Sequence, residues 1–165
     1  INALCYAAII LVIGFLLALN VNINFFWLTL SYFIIAVSYS IYFKNLIYLD
    51  LVMLATFFIT RILAGGFAVN ISISIWFILF SIFFFLSMAS IKRITEIQKY
   101  ASNQISYTGR PYNKDSLSSL NIIGVTSGLI SMMVFVLYII SERSGILYSN
   151  TPYLYLANLF LFYYI

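Results

Sequence analysis

The segment LIYLDLVMLATFFITRILAGGFAV, residues 46–69, decides the fold class, because it is an apolar run of membrane-spanning length that carries charges at Asp50 and Arg61. A transmembrane helix needs about 20 mainly apolar residues. A guanidinium in the middle of such a helix costs at least about 2.5 kcal/mol, so Arg61 requires a partner. The segment therefore predicts a membrane-spanning helix with one polar face.

The composition of the whole chain is that of an integral membrane protein. Of 165 residues, 64% are hydrophobic and only 7% are charged, against about a quarter charged in a soluble domain. Cys5 is the single cysteine and histidine is absent, so neither a disulfide framework nor a cysteine-pair metal site is expected. No nucleic-acid partner is expected. Because the chain starts at Ile1 without a charged segment before its first apolar run, and its last apolar run stops at Ile165, both ends are expected to be truncated.

Apolar segments recur along the sequence at membrane-spanning length. Backbone groups in lipid must be paired within the segment, and no strand-like alternation is present, so we interpret these segments as helices. The predicted fold is an all-α, polytopic transmembrane bundle of about six helices. The predicted segments are residues 1–19, 25–43, 46–69, 72–91, 120–140 and a sixth beginning at Tyr153.

The basic residues predict the orientation of the bundle. The turn at Lys44 and the long loop 92–118 are separated by two spans, so both lie on the same side of the membrane. The opposite side has Arg143 beside Glu142. The positive-inside rule therefore places the Lys44 side in the cytoplasm. The cations on that side are Lys44, Lys92, Arg93, Lys99, Arg110 and Lys114.

The two charges of the third segment are predicted to share a helix face. Asp50 and Arg61 are eleven residues apart, about three turns, and about 16 Å apart along the axis. They are thus too distant to pair, with Asp50 near the cytoplasmic mouth and Arg61 near mid-membrane. Thr56 and Thr60 add hydroxyls, and the small residues 64–66 permit close approach of a backbone or a ligand. We interpret this face as the wall of a polar cavity, with Asp50 and Arg61 as candidate catalytic residues.

Structural explanations remain open for each of these features. Arg61 could be satisfied by helix-end carbonyls or by a carboxylate on another span. The Ala-Gly-Gly sequence at 64–66 is also typical of helix packing. Asp50 lies close enough to the membrane edge to reach water or to pair with Lys44.

The loop after the fourth segment carries most of the remaining polar chemistry. Its beginning is expected to continue the preceding helix, with Glu96 spaced to neighbour Lys92 and Lys99. Residues 109–111 break the chain, and Asp115 or Ser116 is expected to cap the next helix. Clustered cations suit a phosphate or diphosphate group, although cytoplasmic loops are also basic for reasons of topology. The candidate phosphate-binding residues are Lys44, Lys92, Arg93, Arg110 and Lys114.

Four blocks of the chain resemble the UbiA-type intramembrane prenyltransferase superfamily. The blocks are SYSIYFKNLIYLD at 38–50, TRILAGGFA at 60–68, FLSMASIKRITEI at 85–97 and GRPYNKDSL at 109–117. They are most similar to the branch that includes polyprenyl-phosphate phosphoribosyltransferases and proteins fused to a phosphatase-like domain. Their order and spacing cover most of residues 30–165, which makes the combined resemblance more specific than any single block.

The resemblance implies a bundle of about nine helices around a central cavity that opens to the cytoplasm and to lipid. It implies a polyprenyl diphosphate, or a polyprenyl phosphate with phosphoribosyl diphosphate, bound with Mg²⁺ in a bacterial inner membrane. By position, Lys44 matches the basic residue of the family's Tyr/Lys motif. Asp50 and Glu96 become the candidate Mg²⁺ ligands, since one or two carboxylates usually suffice beside phosphate oxygens.

The sequence departs from the common pattern of the superfamily in two places. Relatives carry a second aspartate-rich motif where this chain has Lys92, Arg93 and Glu96. The resemblance places the first aspartate-rich motif upstream of Ile1. Residues 1–165 are therefore expected to be the C-terminal part of one longer transmembrane domain, and this part is not expected to be active by itself.

Three classes of function remain open from the sequence. The leading interpretation is a transferase that moves a polyprenyl group from a polyprenyl diphosphate to an acceptor, with polyprenyl-phosphate phosphoribosyl transfer as the alternative chemistry. A transporter would also place charges within helices, and a non-catalytic scaffold requires no shared face for Asp50 and Arg61. Lipids of the membrane are expected partners in every case.

Overall fold

Six α-helices make up the part of the chain that the structure, a computed structural model, describes: residues 2–46, 48–102, 116–141 and 152–164. No strand occurs among these residues. A short 3₁₀ helix, Phe43–Asn45, follows the second helix. The helices are α1 Asn2–Val21, α2 Ile23–Ile41, α3 Leu49–Ala68, α4 Ile75–Ser102, α5 Ser116–Ile140 and α6 Pro152–Tyr164.

Four of these helices, α2 to α5, are long and apolar enough to cross a membrane. The predicted all-α polytopic membrane fold is therefore confirmed. The predicted extension of the fourth segment is also confirmed, because α4 continues to Ser102. Helix α5 begins at Ser116, four residues before the predicted apolar segment, since the serines at its start are compatible with the first turn of a helix.

Helices α2 and α3 run antiparallel, as contacts at both ends of the pair show. So do α4 and α5, since the Phe80 and Phe135 ring centroids lie 5.6 Å apart at the end opposite Ser87 and Gly124. Between α2 and α3, the Tyr39 hydroxyl bonds to Asp50 near one end, and the Asn22 amide bonds to Asn70 at the other. Between α4 and α5, the Ser87 hydroxyl donates to the Gly124 carbonyl at 2.8 Å. The start of α3, the second half of α4 and the start of α5 therefore meet at one end of the bundle.

The core lies between α3, α4 and α5 near that end. Leu51, Ala89, Ile97 and Leu120 form its buried cluster. Burial of apolar surface does not drive helix association inside a bilayer, so close packing of small residues must hold these helices together. Helix α5 supplies such residues on one face, all of them buried: Gly124, Ser127, Gly128 and Ser131.

Gly124 lies at a close contact between α4 and α5. A Cβ atom at this position would lie 3.3 Å from the Ser90 Cβ. We expect Gly124→Leu to lower the free energy of unfolding by about 1–3 kcal/mol, because overpacking forces helices apart. The measurement is a denaturant titration in detergent. The matched control is Gly14→Leu, since nothing lies within 4 Å of the corresponding Cβ, and equal losses in both variants would contradict the prediction.

The small residues at 64–66 serve packing at one position. A Cβ on Gly66 would lie 2.5 Å from the Ile73 Cδ1 and 3.1 Å from the Ile71 carbonyl oxygen, whereas Gly65 has nothing within 4 Å. Gly66 therefore allows the α3–α4 connection to fold back against α3. Gly66 thus has a packing role, and it also lines an apolar pocket of about 530 Å³ at this end of the bundle.

Candidate functional site

A buried ion pair between Asp50 and Arg93 joins α3 to α4. Asp50 is fully buried and Arg93 is 1% exposed. Arg93 Nε donates to Asp50 Oδ2, and Arg93 Nη2 donates to Asp50 Oδ1 at 2.9 Å. This bidentate contact matches the planar guanidinium to the carboxylate, and such charge-assisted pairs are among the strongest hydrogen bonds in proteins.

Two further side chains complete the cluster. The Tyr39 hydroxyl donates to Asp50 Oδ1 at 2.5 Å and accepts from Arg93 Nη2 at 3.3 Å. Arg93 Nη1 donates to Glu96 Oε2 at 2.6 Å. We call Tyr39, Asp50, Arg93 and Glu96 the ion-pair cluster. It connects α2, α3 and α4, so the relative positions of three helices depend on it.

Local structure explains why Asp50 lies where it does. Helix α3 starts at Leu49, directly after Tyr48, whose φ of 67° turns the chain into the helix. Asp50 is thus in the first turn, where the helix dipole stabilises a carboxylate. Ala89, Arg93 and Ile97 follow one another at four-residue spacing on α4, which places Arg93 on the face that packs against Leu51.

Three exposed cations lie close in sequence to residues of the ion-pair cluster or to the helices that carry them. Lys44 lies in the 3₁₀ helix before α3, Lys92 directly precedes Arg93, and Lys99 follows two turns later, and all three are exposed. We call the end of the bundle formed by Lys44, Lys92, Lys99 and the ion-pair cluster the basic end. Its four cations exceed its two carboxylates, so it attracts anions. Arg110 and Lys114, the other predicted phosphate-binding residues, lie outside the described residues.

Arg61 lies away from the basic end. Its Nη2 donates to the Tyr32 hydroxyl at 2.6 Å. Its Cζ is 5.4 Å from the centroid of the Tyr32 ring and 5.6 Å from that of Phe58. Its side chain is exposed on the bundle surface.

The partners of Asp50 and Arg61 agree with the predicted shared face. Both side chains bond to tyrosines of α2, Tyr39 and Tyr32 respectively. The two tyrosines are seven residues apart, two turns of one helix face. Phe57 lies between them, with its ring centroid 5.4 Å from each tyrosine ring. Between α2 and α3, the rings of Tyr32, Phe57 and Tyr39 therefore pack in a row. The hydroxyl at one end of this row bonds to Arg61, and the hydroxyl at the other end bonds to Asp50.

Tyr39 and Tyr32 are not among the site residues predicted from the sequence. The signal that could have identified them is their spacing. Tyr32 and Tyr39 are seven residues apart, so they lie on one face of α2. Asp50 and Arg61, eleven residues apart, lie on one face of α3 in the same way. The partners of Asp50 are Arg93 and Tyr39 instead of the Lys44 side chain considered from the sequence, and its carboxylate is fully buried.

The cluster, by itself, does not fit a resident Mg²⁺ ion. Asp50 uses both carboxylate oxygens on Arg93 and Tyr39. A metal ligated by Asp50 and Glu96 would have to displace the guanidinium from Asp50. No group of three or more acidic, cysteine or histidine side chains suited to a metal occurs in the described ranges. Metal ligation by Asp50 and Glu96 stays a prediction.

Tyr39→Phe tests whether the third helix matters to the cluster. We expect a loss of about 1.5–3 kcal/mol in the free energy of unfolding, because a hydrogen bond to the charged carboxylate of Asp50 is removed. The measurement is the same detergent titration. Tyr42→Phe is the matched control, since Tyr42 is 72% exposed, and a control loss as large as that of Tyr39→Phe would contradict the role given to the hydroxyl.

The opposite end of the bundle contains an apolar pocket of about 530 Å³. Residues of α3, the α3–α4 connection, α4 and α5 line it, with Trp76, Phe77, Phe80, Phe135 and Tyr138 as the aromatic members. Neither Asp50 nor Arg61 is among its lining residues. The charged groups and this pocket are therefore separate features.

The chain belongs to the UbiA prenyltransferase family, whose model matches residues 1–165. Two bacterial proteins are similar to it. Nodulation protein NoeC of Azorhizobium caulinodans is 32% identical over 132 residues, which are 79% of this chain and 43% of that protein. Uncharacterized protein y4nM of Sinorhizobium fredii is 28% identical over 160 residues, 96% of this chain and 31% of that protein. The chain thus spans less than half the length of each of these relatives.

Proposed function

We propose that this chain is part of an integral membrane transferase that moves a polyprenyl group from a polyprenyl diphosphate to an acceptor. Membership of the UbiA prenyltransferase family supports the class of reaction. The observation that carries the proposal is the basic end, where the same helix ends carry exposed lysines and a buried ion-pair cluster. We further propose that the basic end faces the cytoplasm, in line with the positive-inside rule.

The basic end suits the departure of a diphosphate. When the bond between the first carbon of the polyprenyl chain and the diphosphate oxygen breaks, the diphosphate leaves with the electron pair and its negative charge grows. Lys44 and Lys92 would stabilise that charge, and such electrostatic stabilisation usually contributes more to catalysis than any other single effect. The carbon then bonds to the nucleophilic atom of the acceptor, which releases its proton.

The ion-pair cluster has a different task in this proposal. Arg93 already donates to two carboxylates, so it positions helices instead of meeting the phosphate first. By joining α3 and α4 it holds Lys92 at a fixed place relative to Lys44. Asp50 acts through Arg93 in the same way. Direct phosphate contact by Arg93 would require it to leave Asp50.

The test is a transfer assay on the full-length protein in membranes, with labelled polyprenyl diphosphate and labelled phosphoribosyl diphosphate supplied separately, each with and without Mg²⁺. We expect a labelled polyprenyl product from the first donor. Product from phosphoribosyl diphosphate alone would replace polyprenyl transfer with phosphoribosyl transfer, the chemistry of the branch that the four sequence blocks resemble. Absence of product from both donors would favour a transporter or a scaffold.

A further inference from the structure

Arg61 is a charged residue exposed within a membrane span. It is the thirteenth residue of α3, which has 20 residues, so it lies about 18 Å from the start of the helix at about 1.5 Å per residue. Its side chain is exposed on the bundle surface. Ionisable residues at such depth face a cavity, a ligand or another helix, because hydrocarbon does not solvate them.

The described residues pair with few of the N–H donors of this guanidinium. Within residues 2–46, 48–102, 116–141 and 152–164 it makes one hydrogen bond, from Nη2 to the Tyr32 hydroxyl. A guanidinium has five N–H donors, and polar groups without partners are costly in an apolar medium. The remaining donors are therefore available to a ligand.

The guanidinium is held in place before any ligand arrives. The Phe58 ring beneath it is stacked on Phe85 with centroids 4.5 Å apart and planes 10° apart. Tyr32, its hydrogen-bond partner, packs edge-on against Phe57. Because α2, α3 and α4 all contribute to this support, the direction of the fork is fixed by the fold.

Charge balance indicates the chemistry of the ligand. The two carboxylates in the described part, Asp50 and Glu96, both bond to Arg93, so neither neutralises Arg61. We propose that Arg61, Tyr32 and Phe58 form a binding site for an oxyanion, a carboxylate or phosphate, on a molecule with an apolar body. The fork matches either group with two parallel hydrogen bonds, and the adjacent rings suit the apolar body.

This ligand is distinct from the polyprenyl donor. The basic end, which would hold the diphosphate, begins about 16 Å away along α3 at about 1.5 Å per residue. If the proposed transferase function holds, the anion bound at Arg61 belongs to the second substrate, the acceptor. The binding site can nevertheless be measured without turnover, so it can fail or hold independently of that function.

The test is equilibrium binding of radiolabelled dodecanoate to the full-length protein in phosphatidylcholine nanodiscs. Unlabelled dodecyl phosphate and uncharged dodecanol serve as competitors. We expect saturable binding, competition by dodecyl phosphate and none by dodecanol. Arg61→Gln should weaken binding at least about tenfold, since one charge-assisted contact contributes about 1.4 kcal/mol or more. Arg61→Lys should give an intermediate affinity, because it keeps the charge and loses the fork.

Controls make each outcome decisive. Thr126→Val changes an exposed residue of α5 that belongs neither to this site nor to the basic end, and should leave dodecanoate binding unchanged. Unchanged affinity in Arg61→Gln, or competition by dodecanol equal to that by dodecyl phosphate, would overturn the proposal.

If Arg61→Gln does not fold, Tyr32→Phe replaces it. This variant should weaken binding because it removes the hydroxyl that holds the guanidinium in place, and unaltered binding would overturn the proposal. Displacement of dodecanoate by phosphatidic acid in the nanodisc would support the site and identify a lipid headgroup as the oxyanion source, whereas persistence of binding would support a free amphiphile.

Discussion

Replacing Arg93 with glutamine is expected to lower the free energy of unfolding by about 3–5 kcal/mol, the range found when one partner of a buried ion pair is removed. Asp50 has no exposed surface, so its carboxylate would remain buried with Tyr39 as its remaining donor. The measurement is a denaturant titration of the full-length protein in detergent, followed by helical circular dichroism.

The matched control for this prediction is the double variant Asp50→Asn with Arg93→Gln. Replacing both partners by neutral amides removes the uncompensated charge, so the double variant should be more stable than Arg93→Gln alone. Additive losses from the two substitutions would show that Asp50 and Arg93 do not depend on each other.

Asp50→Asn is expected to reduce polyprenyl transfer on the order of 100-fold, the loss that a displacement of about 1 Å in a positioning element can cause. Asparagine keeps the shape of the side chain but removes the charge that orients Arg93, and through it the register of α3 against α4. The measurement is the initial rate of transfer in membranes, normalised to the amount of inserted protein.

Thr126→Val is the control for the activity measurement. Thr126 is exposed on α5, and its hydroxyl donates within its own helix, to the carbonyls of Ile122 and Ile123. Its rate should stay within about twofold of the original, since surface substitutions of this kind change stability by about 0.5 kcal/mol or less. A rate in Asp50→Asn equal to that control would contradict the positioning role.

Local sequence patterns are enough to predict the spans. Apolar runs of membrane length predict α2 to α5, and eleven-residue spacing predicts that Asp50 and Arg61 project toward the same neighbour. These predictions depend on helix geometry and on the thickness of the bilayer, both of which act within one segment.

The pairing of Asp50 with Arg93 could not be predicted in the same way. The two residues are far apart in sequence, and their contact depends on the register of α3 against α4. The contacts of Ser87 and Ser90 with Gly124, which join α4 to α5, are likewise set by the shapes of small side chains, which hydropathy does not reveal. The spacing Gly124-x-x-x-Gly128, typical of close helix pairs, is a signal of the α4–α5 contact in the sequence.

The most direct test of the proposed diphosphate site is the affinity of labelled polyprenyl diphosphate for the full-length protein carrying Lys44→Gln and Lys92→Gln together. We predict a loss of at least about tenfold relative to the original protein, since the two lysines contribute at least about 1.4 kcal/mol between them. Arg61→Gln should keep the original affinity, because its site lies elsewhere on α3. Unchanged donor binding in the double lysine variant would contradict the claim that the basic end receives the diphosphate.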